Sequence, residues 1–199
     1  IYYKKELEAI SACCKELGLY LYLDGARLGS ALTAEGNDLT LEDIAALTDA
    51  FYIGGTKNGA LFGEAVVLVN PELQKEFRYS IKQHGGMLAK GRLLGIQFEQ
   101  LLKGGDDCLY FRLARHANEQ ASRIRKAFEA KGIPMWINST TNMQFPILTK
   151  EQQAVLGEKF VPEFWGKYDA ERDIVRFCTS WATKDEDIEA LIADLDKLN

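Results

Sequence analysis

Two short polar segments of this sequence carry residue types that do chemistry, and each directly follows an apolar run. Asp24-Gly25-Ala26-Arg27 follows residues 19–23 (LYLYL), and Gly54-Gly55-Thr56-Lys57-Asn58-Gly59 follows residues 51–53 (FYI). In open α/β sheets, ligands bind beyond the carboxyl ends of the strands. Both segments therefore stand where a site can form. A carboxylate there can hold a cation, and a guanidinium three residues on can take an anion bidentately. A lysine in a glycine-rich turn becomes a nucleophilic amine once it loses its proton. Each feature alone has a plainer reading, as a turn aspartate or a solvated lysine. The second segment is not a P-loop either: that motif is G-x-x-x-x-G-K-[ST], and here the lysine follows Gly-Gly-Thr, which argues against nucleotide binding by that route.

The elements that must position these residues follow from hydrophobic periodicity. Leu7, Ile10, Cys14 and Leu17 mark a helix over residues 1–17, with Gly18 just past its end. The LYLYL run, with no polar alternation, predicts a strand covered on both faces. A capping-box-like Thr40 to Asp43 opens a short helix over 41–47, and residues 51–53 and 65–69 (AVVLV) read as further strands. The alternation of helix and strand predicts an α/β layer with a mostly parallel sheet. Helices follow over about 71–80, from about 86, and over about 109–131, the last with Leu113, Ala117, Ala121, Ile124 and Phe128 as its apolar stripe, broken at Gly104-Gly105 and Gly132. Residues 135–137, 143–147 and 174–178 read as strands. A last helix begins at a capping box of Thr183 and Glu186 and carries Ile188, Leu191, Ile192 and Leu195. The expected organisation is residues 1–107 as part of a large α/β domain and 108–199 as a bridging helix and small α+β domain.

Composition narrows the function classes. Of 199 residues, 47% are hydrophobic and 27% charged, as in ordinary globular proteins. A formal net charge of -5 opposes general nucleic-acid binding. No apolar stretch reaches the roughly 20 residues of a membrane span, and none resembles a signal peptide. Cys13, Cys14, Cys108 and Cys178 form no CxxC pair, and His84 and His116 stand far apart, so no metal site is expected. Free thiols fit a reducing cytoplasm. The chain opens at Ile1, directly in a helical pattern, and reads as a fragment whose start lies upstream.

The two polar segments taken together, with Lys57 following Asp24 by 33 residues (57 − 24), resemble fold-type I pyridoxal-phosphate enzymes. LYLDGARLGSAL resembles the Asp-Gly-Ala-Arg segment of the L-threonine aldolases and their β-eliminating lyase relatives. FYIGGTKNGALFGEAVVLVN resembles their lysine loop and following strand, and VRFCTSWATKDEDIEAL their C-terminal arginine strand and terminal helix. The resemblance implies that Lys57 joins the aldehyde of pyridoxal 5'-phosphate and that Asp24 holds the pyridine nitrogen protonated. It implies that Arg27 and Arg176 take the carboxylate of an amino-acid substrate. Arg27 and Thr56 are further candidates for cofactor contact, Thr56 being as readily a turn hydroxyl. The bland partner for Arg176 would be an internal carboxylate such as Asp173 or Asp185.

The Gly85-Gly86-Met87 segment also resembles the family, but Lys82, Lys90 and Arg92 around it do not fall on the expected pattern. His116, Trp136, Trp165 and Trp181 read as surface, core or interface residues. The resemblance implies a carbon–carbon lyase cleaving threonine-like amino acids to glycine and an aldehyde, as a homodimer or homotetramer. It also implies that the phosphate cradle and the ring stacked on the cofactor lie outside this sequence, so that the fragment alone is inactive. The alternatives are a β-eliminating lyase or other fold-type I enzyme acting on another amino acid, and a truncated module that only oligomerises.

Overall fold

The computed structural model describes residues 1–198. They form two compact units: residues 1–32 with 36–112, and residues 33–35 with 113–199. Among the described residues, no helix is long and apolar enough to cross a membrane.

The first unit is built on a three-stranded sheet of β1 (Tyr22–Leu23), β2 (Ala50–Ile53) and β3 (Ala65–Leu68), in that order. β1 and β2 are parallel, while β2 and β3 are antiparallel with Phe51 opposite Val67. The sheet is thus mixed rather than mostly parallel. A parallel return needs a long crossover, usually helical, and residues 54–64 between β2 and β3 contain no helix. Asp49 ties the start of the sheet together: one carboxylate oxygen accepts from the Leu21 N–H at 2.8 Å and the other from Asn70 Nδ2 at 2.7 Å.

Helices α1 (Lys4–Glu16), α2 (Leu28–Leu32) and α3 (Leu41–Leu47) belong to this unit. The Thr40 capping box is present, with Thr40 Oγ1 accepting from the Asp43 N–H at 3.1 Å and Asp43 Oδ2 accepting from the Thr40 N–H at 3.1 Å. Leu7, Leu28, Ile44, Phe51 and Ile53 are buried. The LYLYL run departs from expectation. Only Tyr22 and Leu23 are strand, and Leu19, Tyr20 and Tyr22 are 56–60% exposed. The helix expected over 71–80 is two, α4 (Pro71–Gln74) and α5 (Phe77–Gln83), separated where Glu76 takes a left-handed φ of +54°. The helix expected from residue 86 is α6 (Arg92–Leu102).

α7 (Leu109–Ala130) has its first turn in the first unit and the rest in the second. Of its expected stripe, Ala117, Ala121, Ile124 and Phe128 are buried. The second unit's sheet is antiparallel and centred on β7 (Arg172–Cys178), which pairs with β4 (Met143–Gln144), β5 (Ile147–Thr149) and β6 (Glu163–Lys167). β4 and β5 replace the single strand expected over 143–147, interrupted at Pro146, which has no N–H to donate to a ladder. Residues 135–137 form no strand; Met135 makes one bridge to Pro146. α8 (Lys150–Gly157) and α9 (Asp185–Leu195) complete the unit. Its core joins Ile124, Phe128, Leu148, Val175, Leu191 and Leu195. Thr183 does not cap α9: its hydroxyl accepts from the Ser180 N–H at 2.9 Å, and Lys184 is the N-cap.

The turns after β1 and β2 meet backbone to backbone. The Gly54 N–H donates to the Gly25 carbonyl at 3.0 Å. A Cβ on Gly54 would lie 2.4 Å from the Ala26 carbonyl oxygen and 2.5 Å from that of Gly25, and one on Gly25 would lie 1.8 Å from the Tyr52 carbonyl oxygen. A side chain at either position must push two backbones apart. Gly54→Ala is expected to lower stability by about 1–3 kcal/mol in urea unfolding. Gly95→Ala, on an exposed stretch of α6 with nothing within 4 Å of the added methyl, is expected to raise it by about 0.5–1 kcal/mol. Equal effects at the two sites would show that the close approach is not a constraint.

Candidate active site

Asp24 stands at the carboxyl end of β1 with its carboxylate exposed. Oδ1 accepts from the Ala26 N–H at 3.1 Å and from the Tyr52 hydroxyl in a short hydrogen bond. Both hydrogen bonds that Asp24 accepts among the described residues therefore fall on one oxygen, leaving Oδ2 for another partner. These donors, the Tyr52 hydroxyl first, then the Ala26 N–H, hold the Asp24 carboxyl below its ordinary range, with a further contribution from the Lys57 ammonium. The group is an anion through the neutral range. Tyr52 is the counterpart: donation to Asp24 and partial burial push its hydroxyl up to about 12. Its ring stacks on Tyr22, with centroids 6.2 Å apart and planes at 27°.

Lys57 lies in the turn after β2 and is exposed. Its charge is the least of the influences that lower the Asp24 carboxyl, and the turns that carry the two residues meet in the hydrogen bond from the Gly54 N–H to the Gly25 carbonyl. The turn that carries Lys57 is held at several points. The N–H groups of Asn58 and Ala60 both donate to the Gly55 carbonyl, at 2.9 and 3.0 Å. Glu64 accepts from the Gly55 N–H in a short hydrogen bond and from Thr56 Oγ1 at 2.7 Å. Thr56 thus has its hydroxyl proton committed to Glu64.

On the other flank, Asn58 Nδ2 donates to the buried Tyr110 carbonyl at 2.8 Å, and the Tyr110 hydroxyl accepts from the Gly29 N–H at 3.1 Å. That knot ties the lysine turn to the α2 turn on which Arg27, half-buried, sits. Burial is the first cause of a Tyr110 hydroxyl pushed up to about 12. Tyr52, Glu64, Asn58 and Tyr110 were not among the residues selected from sequence. Tyr52 reads there as an ordinary strand aromatic. Only the position of Asn58, beside the lysine, carried a signal.

Arg176 lies in the second unit, on β7. Its guanidinium pairs with Glu163, directly opposite on β6, and lies 5.2 Å from the centroid of the Trp165 ring. Its Nε is buried without a hydrogen-bond partner among the described residues. The expected bland partners are engaged elsewhere: Asp173 pairs with Lys150, and Asp185 with Arg123 at 2.6 Å. The correction has a plain cause, because Asp173 points to the opposite face of β7 from Arg176 and Asp185 belongs to α9. Trp165 and Trp136 both flank the buried Phe145 ring, at 5.2 and 6.0 Å between centroids. His116 Nε2 donates to the Thr183 carbonyl at 2.8 Å.

Comparisons with known proteins identify the fold and the family. The chain superposes on the threonine aldolase of Leishmania major with a TM-score of 0.93 and 48% identity, over 98% of this chain and 56% of that one. Serine palmitoyltransferase of Sphingomonas wittichii shares the fold at a TM-score of 0.65 and 15% identity, covering 96% of this chain and 50% of that one. The architecture is that of the fold-type I, aminotransferase-like class.

Within that class the chain belongs to the β-eliminating lyase family, which matches residues 1–151. It is 34% identical to the low specificity L-threonine aldolase of Pseudomonas aeruginosa, over 98% of this chain and 55% of that protein. The chain spans about half the length of the curated relatives it matches.

The buried Gly55 N–H depends on Glu64, so Glu64→Ala is expected to cost about 1–2 kcal/mol of stability. Amide exchange should quicken at Gly55 while remaining slow in β2. Unchanged exchange at Gly55 would show that Glu64 does not hold the turn.

Proposed function

We propose that this chain carries the lysine-bearing part of a pyridoxal-phosphate-dependent carbon–carbon lyase. It cleaves L-threonine, allo-threonine or related β-hydroxy amino acids to glycine and an aldehyde. The observation that carries the reading is the placement of Asp24 and Lys57 on two turns that meet in the hydrogen bond from the Gly54 N–H to the Gly25 carbonyl. Membership of the β-eliminating lyase family and the likeness to threonine aldolases support the reaction class.

The residues present fit such a cofactor. Asp24 offers an anion with one oxygen anchored and the other open, as a protonated ring nitrogen requires. Lys57 offers an exposed amine on a turn whose backbone is fixed at Gly55, Asn58 and Ala60. Pyridoxal phosphate, when bound, supplies an electron sink for the pair released at Cα. Lys57 would hold the cofactor through its amine, and Asp24 would keep a proton on the ring nitrogen.

Arg27 and Arg176 receive the substrate carboxylate. Arg176 is suited to it, since a guanidinium presents a planar fork that matches a carboxylate. Fixing the carboxylate selects which bond at Cα breaks. Thr56 contributes to cofactor contact through its oxygen lone pairs, its proton being held by Glu64.

The family description favours one second reading, β-elimination from another amino acid. It differs in products, which would be a 2-keto acid, ammonia and the substituent released from Cβ in place of glycine and an aldehyde. The reading extends to a cytoplasmic homo-oligomer, dimer or tetramer, and four cysteines outside any disulfide support a reducing compartment.

Incubation of the full-length, cofactor-loaded protein with threonine is expected to yield glycine and acetaldehyde in equal amounts. Arg176→Lys should keep the cofactor spectrum and lower kcat/KM by the equivalent of about 1.5–3 kcal/mol, because lysine cannot reproduce a bidentate contact. A folded, cofactor-loaded Arg176→Lys protein with unaltered kcat/KM would remove Arg176 from the site.

A further inference from the structure

We propose that Tyr52 is a positioning residue for Asp24, its hydroxyl holding the carboxylate by Oδ1 so that Oδ2 is presented to the ring nitrogen of bound pyridoxal phosphate. The inference rests on the reading of Asp24 given above and assigns the group that makes Asp24 effective.

Asp24 is exposed at a strand end, where an unassisted carboxylate samples several rotamers. Two donors converge on its Oδ1, the Ala26 N–H from its own turn and the Tyr52 hydroxyl from the neighbouring strand. A carboxylate held through one oxygen from two directions keeps the other oxygen in a fixed direction. Tyr52 is itself held. It alternates with buried Phe51 and Ile53 along β2, so its ring lies on the opposite face, where it stacks on Tyr22 of the parallel strand β1. The phenol is long enough to reach across the strand pair, and the stack restricts where its hydroxyl points.

The chemistry has a defined direction. A hydroxyl donating to a carboxylate stabilises the ionised form, so Asp24 remains an anion further into acid than an unassisted aspartate. Tyr52 stays protonated, and so remains a donor, throughout the range in which a lyase works. The charged and titratable groups acting on the pair are Lys57 on Asp24, and Glu64 and Tyr22 on Tyr52. The plainer reading is that Tyr52 only packs on Tyr22. Tyr52→Phe separates the two, since it keeps the ring and removes the donor.

The test is equilibrium binding of pyridoxal phosphate to the protein, followed by absorbance from pH 4 to pH 8, with thermal unfolding of the cofactor-free protein beside it. Tyr52→Phe is expected to unfold at the wild-type temperature, to bind the cofactor about tenfold more weakly, and to lose binding at a higher pH on the acid side. A 3-fluorotyrosine at position 52, a stronger donor of the same shape, should move that acid limb the other way. This second variant decides the matter should Tyr52→Phe not fold. Wild-type affinity and an unmoved acid limb in Tyr52→Phe, or an unmoved limb with fluorotyrosine, would overturn the inference. Asp24→Asn run in parallel keeps the two claims apart. Binding unchanged in Asp24→Asn means that Asp24 is not the anchor. Binding impaired in Asp24→Asn but not in Tyr52→Phe means that only the role of Tyr52 is wrong.

Discussion

The hydrogen bond from the Gly54 N–H to the Gly25 carbonyl is the contact on which the candidate site depends. It joins two turns that leave neighbouring parallel strands, one bearing Asp24 and Arg27 and the other Thr56 and Lys57. The backbones approach too closely for a Cβ on either glycine, so the relative position of the two turns is set by main-chain geometry. Side chains then refine it. Glu64 closes the lysine turn from one flank and Asn58 ties it to Tyr110 from the other, while Tyr52 reaches back to Asp24. Asp24 and Lys57 are exposed, and the groups that place them are backbone amides, the buried Asn58 and Tyr110, the half-buried Tyr52 and the exposed Glu64, each held by hydrogen bonds.

The second unit places its charge differently. β7 is central, with apolar Val175 and Phe177 turned into the helix-covered core and Arg176 on the other face. There the guanidinium is bordered by Trp165 and Glu163 of β6 and by Met143 of β4. An arginine in an apolar strand needs an anion, and the sheet supplies Glu163 for Nη2, while Nη1 faces the Met143 sulfur at 4.0 Å and Nε is buried without a hydrogen-bond partner among the described residues.

Much of this was legible in the sequence, for identifiable reasons. The ends of β1 and β2 are marked by apolar runs stopping at polar, glycine-containing turns, and those ends are where Asp24 and Lys57 were sought. The Thr40 capping box and the Ala117–Phe128 stripe of α7 are local patterns, and both are present. What escaped depends on partners distant in sequence. β6 has charged ends, a central glycine and an irregular pairing at Phe164 to Gly166, so its pattern is weak, and with it went the true partner of Arg176. Tyr52 is 28 residues from Asp24, and nothing in FYI distinguishes a donor from a packing ring. The antiparallel β3 follows from the absence of a crossover helix, which a list of apolar runs does not register. The LYLYL run shows the converse: apolar composition predicted a covered strand, whereas three of its residues are exposed in the described chain.

The central claim is that the Gly54–Gly59 turn presents Lys57 to a cofactor whose ring Asp24 holds. The most direct measurement is borohydride reduction of the holoprotein followed by peptide mass spectrometry. The expected result is one pyridoxyl group per chain, on the peptide containing Lys57, with Lys57→Ala leaving none. Stoichiometric labelling at another lysine, or a Lys57→Ala protein that is labelled as fully as the wild type, would contradict it.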